Sequence, residues 1–283
     1  MVSQQRKREL RRRFDTDRLR PLLRVAVDGV MAVEAAGASL LDLRKPRPAP
    51  LPPGSVTAVI KTFQRPRQVR RLVRSIRRVQ PDLPILVVDD NETPSPVKGA
   101  DLLAMPYNSG ISAGRNAALE QIDTPFFLLL DDDFVFTRRT AVAPAVEFLL
   151  AHPDVDIVGG RVVNMPDFSS HDYSRIVLGV GPGIDAVPVG TPLHGLPVYA
   201  KVANFFVGRT DTVRAVGWAE DLKVMEHQEF FSRAWGTLTT VYDDGFAVLH
   251  ARNPFDRASP ERRENMASAS VGLSQRRRGA GAG

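Results

Sequence analysis

Two hydrophobic patterns alternate along the chain after residue 55. Short continuous apolar runs are typical of strands buried on both faces, and between them lie segments whose apolar residues recur at helical spacing. Strands that alternate with helices imply right-handed crossovers and a mainly parallel sheet. The pattern therefore predicts an α/β fold of the Rossmann-like, nucleotide-binding type, flanked by helices. The predicted strands are 56–60, 85–88, 102–105, 126–130, 155–158, 202–207 and 246–249, and the predicted helices are 66–78, 112–121, 143–151 and 226–235.

The chain divides into three parts by composition. Residues 1–54 combine a basic, helical segment with a proline-rich linker over 46–54, which forms neither helix nor central strand. Its apolar face is predicted to include Leu19, Leu22, Leu23, Val25 and Val27, and to pack on the main domain. Residues 55–255 form that domain, and 256–283 are predicted to be a polar, disordered tail. Within the domain, the aperiodic stretch 166–197 predicts a long functional loop.

Composition excludes several classes of site. The 283 residues include no cysteine, which rules out disulfides, thiolate metal ligands and a cysteine nucleophile. No apolar run approaches the ~18 residues that span a bilayer, and the beginning of the chain lacks the apolar core of a signal peptide. We therefore expect a soluble, cytoplasmic protein. Abundant arginine and alanine favour a bacterial source.

Positive charge is concentrated near the two ends of the chain. The net charge is +6, and basic runs occupy residues 6–13 and 276–278. Such runs are commonly solvated tails, although either one can contact anionic lipid at the inner face of a membrane or a polyanionic acceptor. This distribution does not favour nucleic acid as a partner.

The most informative motif is an apolar run that ends at three consecutive carboxylates. Residues 126–130 are followed by Asp131, Asp132 and Asp133. In open α/β sheets, ligands bind at the carboxyl ends of the strands. Adjacent carboxylates repel one another unless a cation neutralises them, and oxygen ligands suit Mg²⁺ or Mn²⁺. The motif favours a divalent metal that holds a diphosphate, with a solvated acidic turn as the alternative.

Other predicted strand ends carry complementary groups. Lys61, Thr62 and Arg65 follow the first strand, and Asp90 follows the second. Carboxylates can hold uracil or ribose, whereas cations offset phosphate charge. Glycines at the start of a helix allow close approach of an anion to backbone amides. Together these groups predict a nucleotide-diphosphate pocket, to which the third strand end adds Asn108, Gly110, Gly114 and Arg115.

The order of these motifs resembles the nucleotide-binding half of family 2-like glycosyltransferases with the A-type fold. More narrowly, 60–63, 113–116, 131–137, 157–160, 202–206, 209–211 and 227–231 are similar to motifs of the ganglioside β-1,4-N-acetylgalactosaminyltransferases. The resemblance covers residues 56–252. It implies transfer of a hexose or N-acetylhexosamine, such as GalNAc, from a UDP-sugar to a hydroxyl of a glycan, glycolipid or natural product, with Mn²⁺ or Mg²⁺ and inversion at the anomeric carbon.

The resemblance also implies roles for individual residues. Asp90 would hold uracil or ribose beside Lys61, Thr62 and Arg65, and Arg115 would lie near the pyrophosphate. Asp131 and Asp133 would contact metal and sugar nucleotide, with Asp132 orienting the donor sugar. His250 matches a late histidine that completes such metal sites, although a lone histidine is as often structural.

The catalytic base is the point at which the sequence departs from the family pattern. Many inverting relatives carry Glu-Asp-x-Glu-Phe, with the aspartate as the base, whereas here His227 stands at that position. Glu229 and His227 are both candidates, with Glu229 preferred. The alternative is that the charged residue at the start of this helix has no catalytic role and only stabilises the helix dipole.

Three other functions remain open on the sequence alone. A sugar-phosphate nucleotidyltransferase uses a similar sheet, but its glycine-rich loop is missing after the first strand, at 61–65. A non-catalytic protein that binds polyanions or a membrane surface is indicated by charge alone. A glycosyltransferase that retains the anomeric configuration is distinguished from an inverting one by product stereochemistry.

Overall fold

The structure is a computed structural model that describes residues 19–42, 46–176, 178, 186–253, 255 and 264–266 of the chain. The remaining residues, among them both basic runs, lie outside the described part. No described helix combines the length and the apolar character needed to cross a membrane. The helices are α1 (Arg20–Asp42), α2 (Pro66–Val79), α3 (Ile111–Gln121), α4 (Val142–Ala151), α5 (Thr210–Val216) and α6 (Glu226–Ala234).

A large mixed sheet forms the centre of the protein. Its strands are β1 (Val56–Thr62), β2 (Ile85–Asp89), β3 (Asp101–Ala104), β4 (Phe126–Asp131), β5 (Phe134–Val135), β6 (Ile157–Asn164), β7 (Ser169–Ser170), β10 (Phe206–Arg209) and β11 (Thr240–His250). The order is β3-β2-β1-β4-β10-β6-β11-β5, with β7 beside β6. β1 is parallel to β2 and β4, as the sequence predicts, whereas β10 runs antiparallel to both of its neighbours.

Side chains on the two faces of the sheet pack into two hydrophobic layers. Ala58 and Ile60 of β1 face α2, and Val59 faces the opposite layer. The alternation follows from the two-residue period of a strand. Residues of α4 join the first layer, and residues of α3, α5 and α6 join the second. Both faces are covered, which is why the strands are continuous apolar runs.

The strand register brings the predicted polar clusters to one edge. Lys61 pairs with Asp131, and Thr62 pairs with Asp89. At the far side of the sheet, His250 pairs with Phe134, the residue that follows the aspartate triplet. β11 carries an irregularity relative to β6 between Asp243 and Ala247. Beyond it, Ala247 pairs with Arg161 and the ladder continues in the shifted register to the pair of His250 and Asn164.

Helix α1 packs on the main domain through a different face from the one predicted. Met31 is buried in a small cluster with Leu249 and Ala251, and Val27 packs against it. Leu19, Leu22 and Val25, predicted to pack inward, are 46%, 68% and 71% exposed. The sequence prediction was wrong for these three residues because the domain contacts only one side of the helix.

Several elements differ from the sequence prediction. Residues 202–205 precede β10 without joining its ladder, and β11 begins at Thr240 rather than near 246. Helix α5 was missed. The predicted loop 166–197 contains β7 and a small hairpin of β8 (Pro192–Leu193) and β9 (Leu196–Pro197) among its described residues.

Candidate active site

A cavity of about 350 Å³ lies at the carboxyl ends of β1, β2 and β4. Its wall brings together residues that were predicted from six separate segments of the sequence. The predicted site residues that line it are Lys61, Thr62, Arg65, Asp90, Asn108, Gly110, Asp131, Asp132, Asp133, His227 and His250. Arg115 and Glu229 are not part of this lining.

The aspartate triplet is held by ion pairs and hydrogen bonds from the loop after β1. One terminal nitrogen of the Arg65 guanidinium donates a hydrogen bond to Asp132 at 2.5 Å, and the other donates to Asp133 at 2.7 Å. Thr62 donates its hydroxyl to Asp132 at 2.8 Å. Burial raises the pKa of Asp132 to about 6, although Arg65 and Thr62 oppose this. Asp131 is the most open member, with 35% of its side chain exposed.

His250 lies against Asp133 at the end of β11. Its Nε2 is 3.2 Å from Oδ1 of Asp133, and its Nδ1 is 2.9 Å from Oδ1 of Asn164. An amide oxygen only accepts, so Nδ1 carries the hydrogen of this bond. Burial alone would raise the pKa of Asp133, but hydrogen bonds and charge from His250 and Arg65 outweigh it and lower that pKa.

The three predicted metal ligands are only partly assembled. Among the described residues, the one group of three such side chains with ligand atoms within 4.8 Å of one another is His152, Asp154 and His194, on the surface. The trio of Asp131, Asp133 and His250 does not meet that separation. The structure therefore pairs Asp133 with His250 and leaves Asp131 further away. The rings of His152 and His194 are stacked at 3.8 Å, so their in-plane lone pairs do not converge.

Asp90 is enclosed on the opposite wall of the cavity. One oxygen accepts from Lys61 Nζ, and the other accepts from the backbone amide of Gly110 at 2.9 Å. Burial lowers the pKa of Lys61, and the charge of Asp90 opposes this effect. Gly110 has a φ of +97°, and a Cβ there would lie 2.7 Å from the backbone of Lys223. Only glycine fits this turn without strain.

Arg115 lies beneath the cavity rather than in its lining. It is 1% exposed, and it donates to Glu226 at 2.6 Å and to Asp131 at 3.3 Å. Its guanidinium also lies 5.5 Å from the ring of Trp218. Arg115 therefore acts on the cavity through two carboxylates that do line it.

Helix α6 presents its first turn to the cavity. Glu226 and His227 line it, whereas both oxygens of Glu229 accept from Arg233, at 2.6 and 3.0 Å. The preference for Glu229 over His227 as the base stays a prediction, which this placement does not favour because Glu229 is not in the cavity lining. The His227 Nε2 donates to the Val202 carbonyl at 2.5 Å, and burial lowers the pKa of this imidazole well below 6.5.

Sequence reasoning missed several residues of the lining. Lys223 and Arg252 add positive charge, and Glu226 was visible in the sequence but received no role. Asn204 Oδ1 is buried without a hydrogen-bond partner, which is uncommon for a polar atom. Asn265, inside the predicted tail, donates to Asn108 at 2.8 Å. No local signal marks these residues, because each reaches the site only through the tertiary fold.

Comparison with known proteins identifies the family. Residues 57–189 match the model of "Glycosyl transferase family 2". Human β-1,4 N-acetylgalactosaminyltransferase 1 is 36% identical over 233 residues, covering 73% of this chain and 43% of that protein. Mouse β-1,4 N-acetylgalactosaminyltransferase 2 is 30% identical over 210 residues, covering 69% and 39%. The chain belongs to the family 2 glycosyltransferases. It spans less than half the length of these curated relatives.

Solved structures similar to this family 2 glycosyltransferase confirm the A-type fold. Residues 1–349 of S. aureus TarS superpose with a TM-score of 0.54 at 17% identity, covering 69% of this chain and 60% of that one. GalNAc-T7, solved with UDP, GalNAc and Mn²⁺, gives a TM-score of 0.53 at 14% identity, covering 75% and 47%. The two curated relatives are animal proteins and give no support to the bacterial source favoured by composition.

Proposed function

We propose that this family 2 glycosyltransferase moves a hexose or N-acetylhexosamine, such as GalNAc, from a UDP-sugar to a hydroxyl group, with inversion and with the help of Mn²⁺ or Mg²⁺. The acceptor class comprises glycans, glycolipids and hydroxylated small molecules. One observation carries the proposal. Asp131–Asp133 and His250 share a cavity with Asp90 and Lys61, as a nucleotide diphosphate and its counter-ion require.

The residues around Asp90 support the proposal that the nucleoside of the donor binds at one end of the cavity. A buried carboxylate can accept from the imide of uracil or from ribose hydroxyls. Lys61 forms a buried ion pair with Asp90 and so offsets the charge of this carboxylate. Lys223 and Arg252, which have no ion pair with a described residue, would neutralise the diphosphate. The curated relatives are named for transfer of N-acetylgalactosamine, which supports this sugar as the first to test.

The hydrogen bonds and contacts of His250 support the proposal that a cation binds at the other end of the cavity. Because Nδ1 donates to Asn164, a neutral imidazole directs the lone pair of Nε2 towards the carboxylate of Asp133. That contact is repulsive unless a proton or a cation is shared, and carboxylate oxygen with imidazole nitrogen is a donor set that suits Mn²⁺. Asp133 and His250 would hold the metal, which would stabilise the departing UDP. Asp131 would contact the sugar nucleotide.

The first turn of α6 supports activation of the acceptor. A base must reach the hydroxyl proton as the oxygen attacks the anomeric carbon. Glu226 and His227 are the α6 side chains in the cavity wall, and Arg115 fixes one oxygen of Glu226. The Nε2 hydrogen of His227 is engaged by Val202, which leaves the Nδ1 lone pair as its basic site. Direct attack opposite UDP inverts the configuration.

The test is a hydrolysis and transfer screen of UDP-sugars with Mn²⁺ or Mg²⁺. Wild-type protein is expected to turn over at least one donor, and Asp133→Ala is expected to lose this activity. Product stereochemistry by NMR reports inversion. If no UDP-sugar binds or turns over, or if Asp133→Ala is as active as the wild type, the proposal is wrong.

A further inference from the structure

Helix α1 exposes an apolar face that nothing in the described structure covers. Ten residues between 21 and 37 are exposed, and nine of them are apolar, glycine or proline, Arg24 being the exception. In contrast, Asp28 and Glu34 are half-buried, and Asp28 accepts from Asn253 at 2.8 Å. A surface helix normally turns its charged side to solvent. Here the exposed apolar residues are Pro21, Leu22, Val25, Ala26, Gly29, Val30, Ala32, Val33 and Ala36.

The outer face of α2 is strongly basic. The helix contains no acidic residue, and it exposes Arg67, Arg70, Arg74 and Arg78 along one side. Three of these side chains, at 70, 74 and 78, donate to backbone carbonyls four residues earlier on the same helix. None of the four arginines forms an ion pair with a described residue. No acidic residue in the described part of the chain therefore neutralises the stripe.

Both helices contact the segment 251–253. Arg71, at the edge of the arginine stripe, donates to the Ala251 carbonyl at 2.9 Å. Ala251 packs in the same cluster as Met31 of α1, and Asn253 donates to the Arg24 carbonyl at 2.9 Å. The same segment includes Arg252, which lines the cavity. The apolar face of α1 and the arginine stripe of α2, together called the α1–α2 surface, therefore belong to two helices held by one short segment that also lines the cavity.

We propose that the α1–α2 surface docks on an anionic lipid bilayer. The apolar face of α1 would lie in the plane of the membrane interface, and the arginines of α2 would contact the headgroups, as interfacial helices with basic flanks do. A second copy of the chain fits less well, because symmetric pairing of α1 would bring a second stripe of arginines towards the first. This proposal goes beyond the transferase activity and does not depend on it.

The surface is tested by co-sedimentation of the full chain with vesicles of phosphatidylcholine containing 30% phosphatidylglycerol, in the absence of any sugar nucleotide. Wild-type protein is expected to bind these vesicles and to bind vesicles of phosphatidylcholine alone much less. Leu22→Glu/Val25→Glu is expected to abolish binding. Arg67→Gln/Arg70→Gln/Arg74→Gln is expected to weaken it by about fivefold for each arginine, and 0.5 M salt should act in the same direction.

Matched controls separate the surface from general changes in charge and hydrophobicity. Leu150→Glu changes an exposed leucine of α4, outside the proposed surface. Arg47→Gln/Lys98→Gln/Arg175→Gln removes three exposed charges elsewhere. Both controls are expected to bind vesicles like the wild type. Because every substituted side chain is exposed, thermal unfolding and UDP-sugar hydrolysis in solution should be unchanged in all variants.

Two results would overturn the proposal. One is failure of the wild type to bind anionic vesicles. The other is a dimer in light scattering that Leu22→Glu/Val25→Glu converts to a monomer, which would make the surface an interface between copies. Vesicle binding without turnover of any UDP-sugar would support the membrane surface and contradict the proposed transferase function. The failure of one proposal is therefore distinguishable from the failure of the other.

Discussion

The Nε2 atom of His250 lies 3.2 Å from Oδ1 of Asp133, while the other ring nitrogen is fixed by Asn164. Such outer partners orient a metal-binding imidazole, and their loss commonly costs 10- to 100-fold in metal affinity. Asn164→Ala is therefore expected to weaken Mn²⁺ binding by about tenfold or more. Isothermal titration with Mn²⁺ and UDP measures this directly.

The matched control for Asn164→Ala is Asp82→Asn, which changes an exposed acid away from the cavity. It is expected to bind Mn²⁺ like the wild type. Equal affinity in Asn164→Ala and the wild type would show that Asn164 does not orient a metal ligand.

Substitutions in the first turn of α6 are expected to lower turnover without weakening substrate binding. If Glu226 or His227 activates the acceptor, Glu226→Gln or His227→Asn should lower kcat by about 10²- to 10⁴-fold with donor affinity retained. Glu229→Gln is the internal control, because Glu229 is engaged by Arg233 outside the cavity wall. A loss of turnover in Glu229→Gln alone would contradict the assignment.

We expect a stability difference between alanine substitutions at two glycines that both have a positive φ. Gly110 and Gly54 have φ of +97° and +66°, but only Gly110 would place a Cβ against another part of the chain. Gly54→Ala is expected to cost about 1–2 kcal/mol from backbone strain alone. Gly110→Ala should cost more, since it also displaces the amide that binds Asp90. Chemical denaturation gives both free energies, and equal losses would refute the steric argument.

The buried His227 is expected to make the stability of the folded protein depend on pH. Burial lowers its pKa in the folded protein below the ordinary value of 6.5, and the charges of Lys201 and Arg115 act in the same direction. Below pH 6.5 the unfolded chain therefore binds a proton that the folded chain does not, so the free energy of unfolding falls as the medium is acidified. His227→Asn should remove this part of the dependence.

Thermal unfolding of the wild type and His227→Asn between pH 8 and pH 5 measures the effect. The difference in melting temperature between the two proteins is expected to change as the pH falls through 6.5. Parallel curves over the whole range would show that His227 does not contribute.

The strand-end residues could be predicted from the sequence because parallel strands align their carboxyl ends. Lys61, Asp90 and Asp131 each follow a continuous apolar run, and this pattern fixes both the strand and the position of its end. The residue on α6 that faces the cavity could not be predicted in the same way. The sequence locates the start of the helix, but its rotation is set by packing, which directs His227 inward and Glu229 towards Arg233.

Asn204 illustrates a second limit of the sequence. The run 202–207 has the composition of a strand, yet the ladder begins only at Phe206. The side chains of Val202 and Phe205 occupy the space beside Gly159 and Gly160. A Cβ atom added to either glycine would lie within 2.5 Å of one of these side chains. This close approach involves residues of β6, which lie far away in the sequence, so the local pattern of 202–207 does not show it or the position of Asn204 in the cavity wall.

The pairing of His250 with Phe134 determines how the site responds when the sheet deforms. Asp133 directly precedes β5, and its carbonyl accepts from the amide of Ala251, so the backbones of Asp133 and His250 are held together by the end of one short antiparallel pair. Asp131 instead belongs to the ladder of β1. Asp131 and the Asp133–His250 pair are thus held by different ladders, one near the middle of the sheet and one at its edge, so a substitution that disturbs β1 should displace Asp131 and leave the Asp133–His250 distance unchanged.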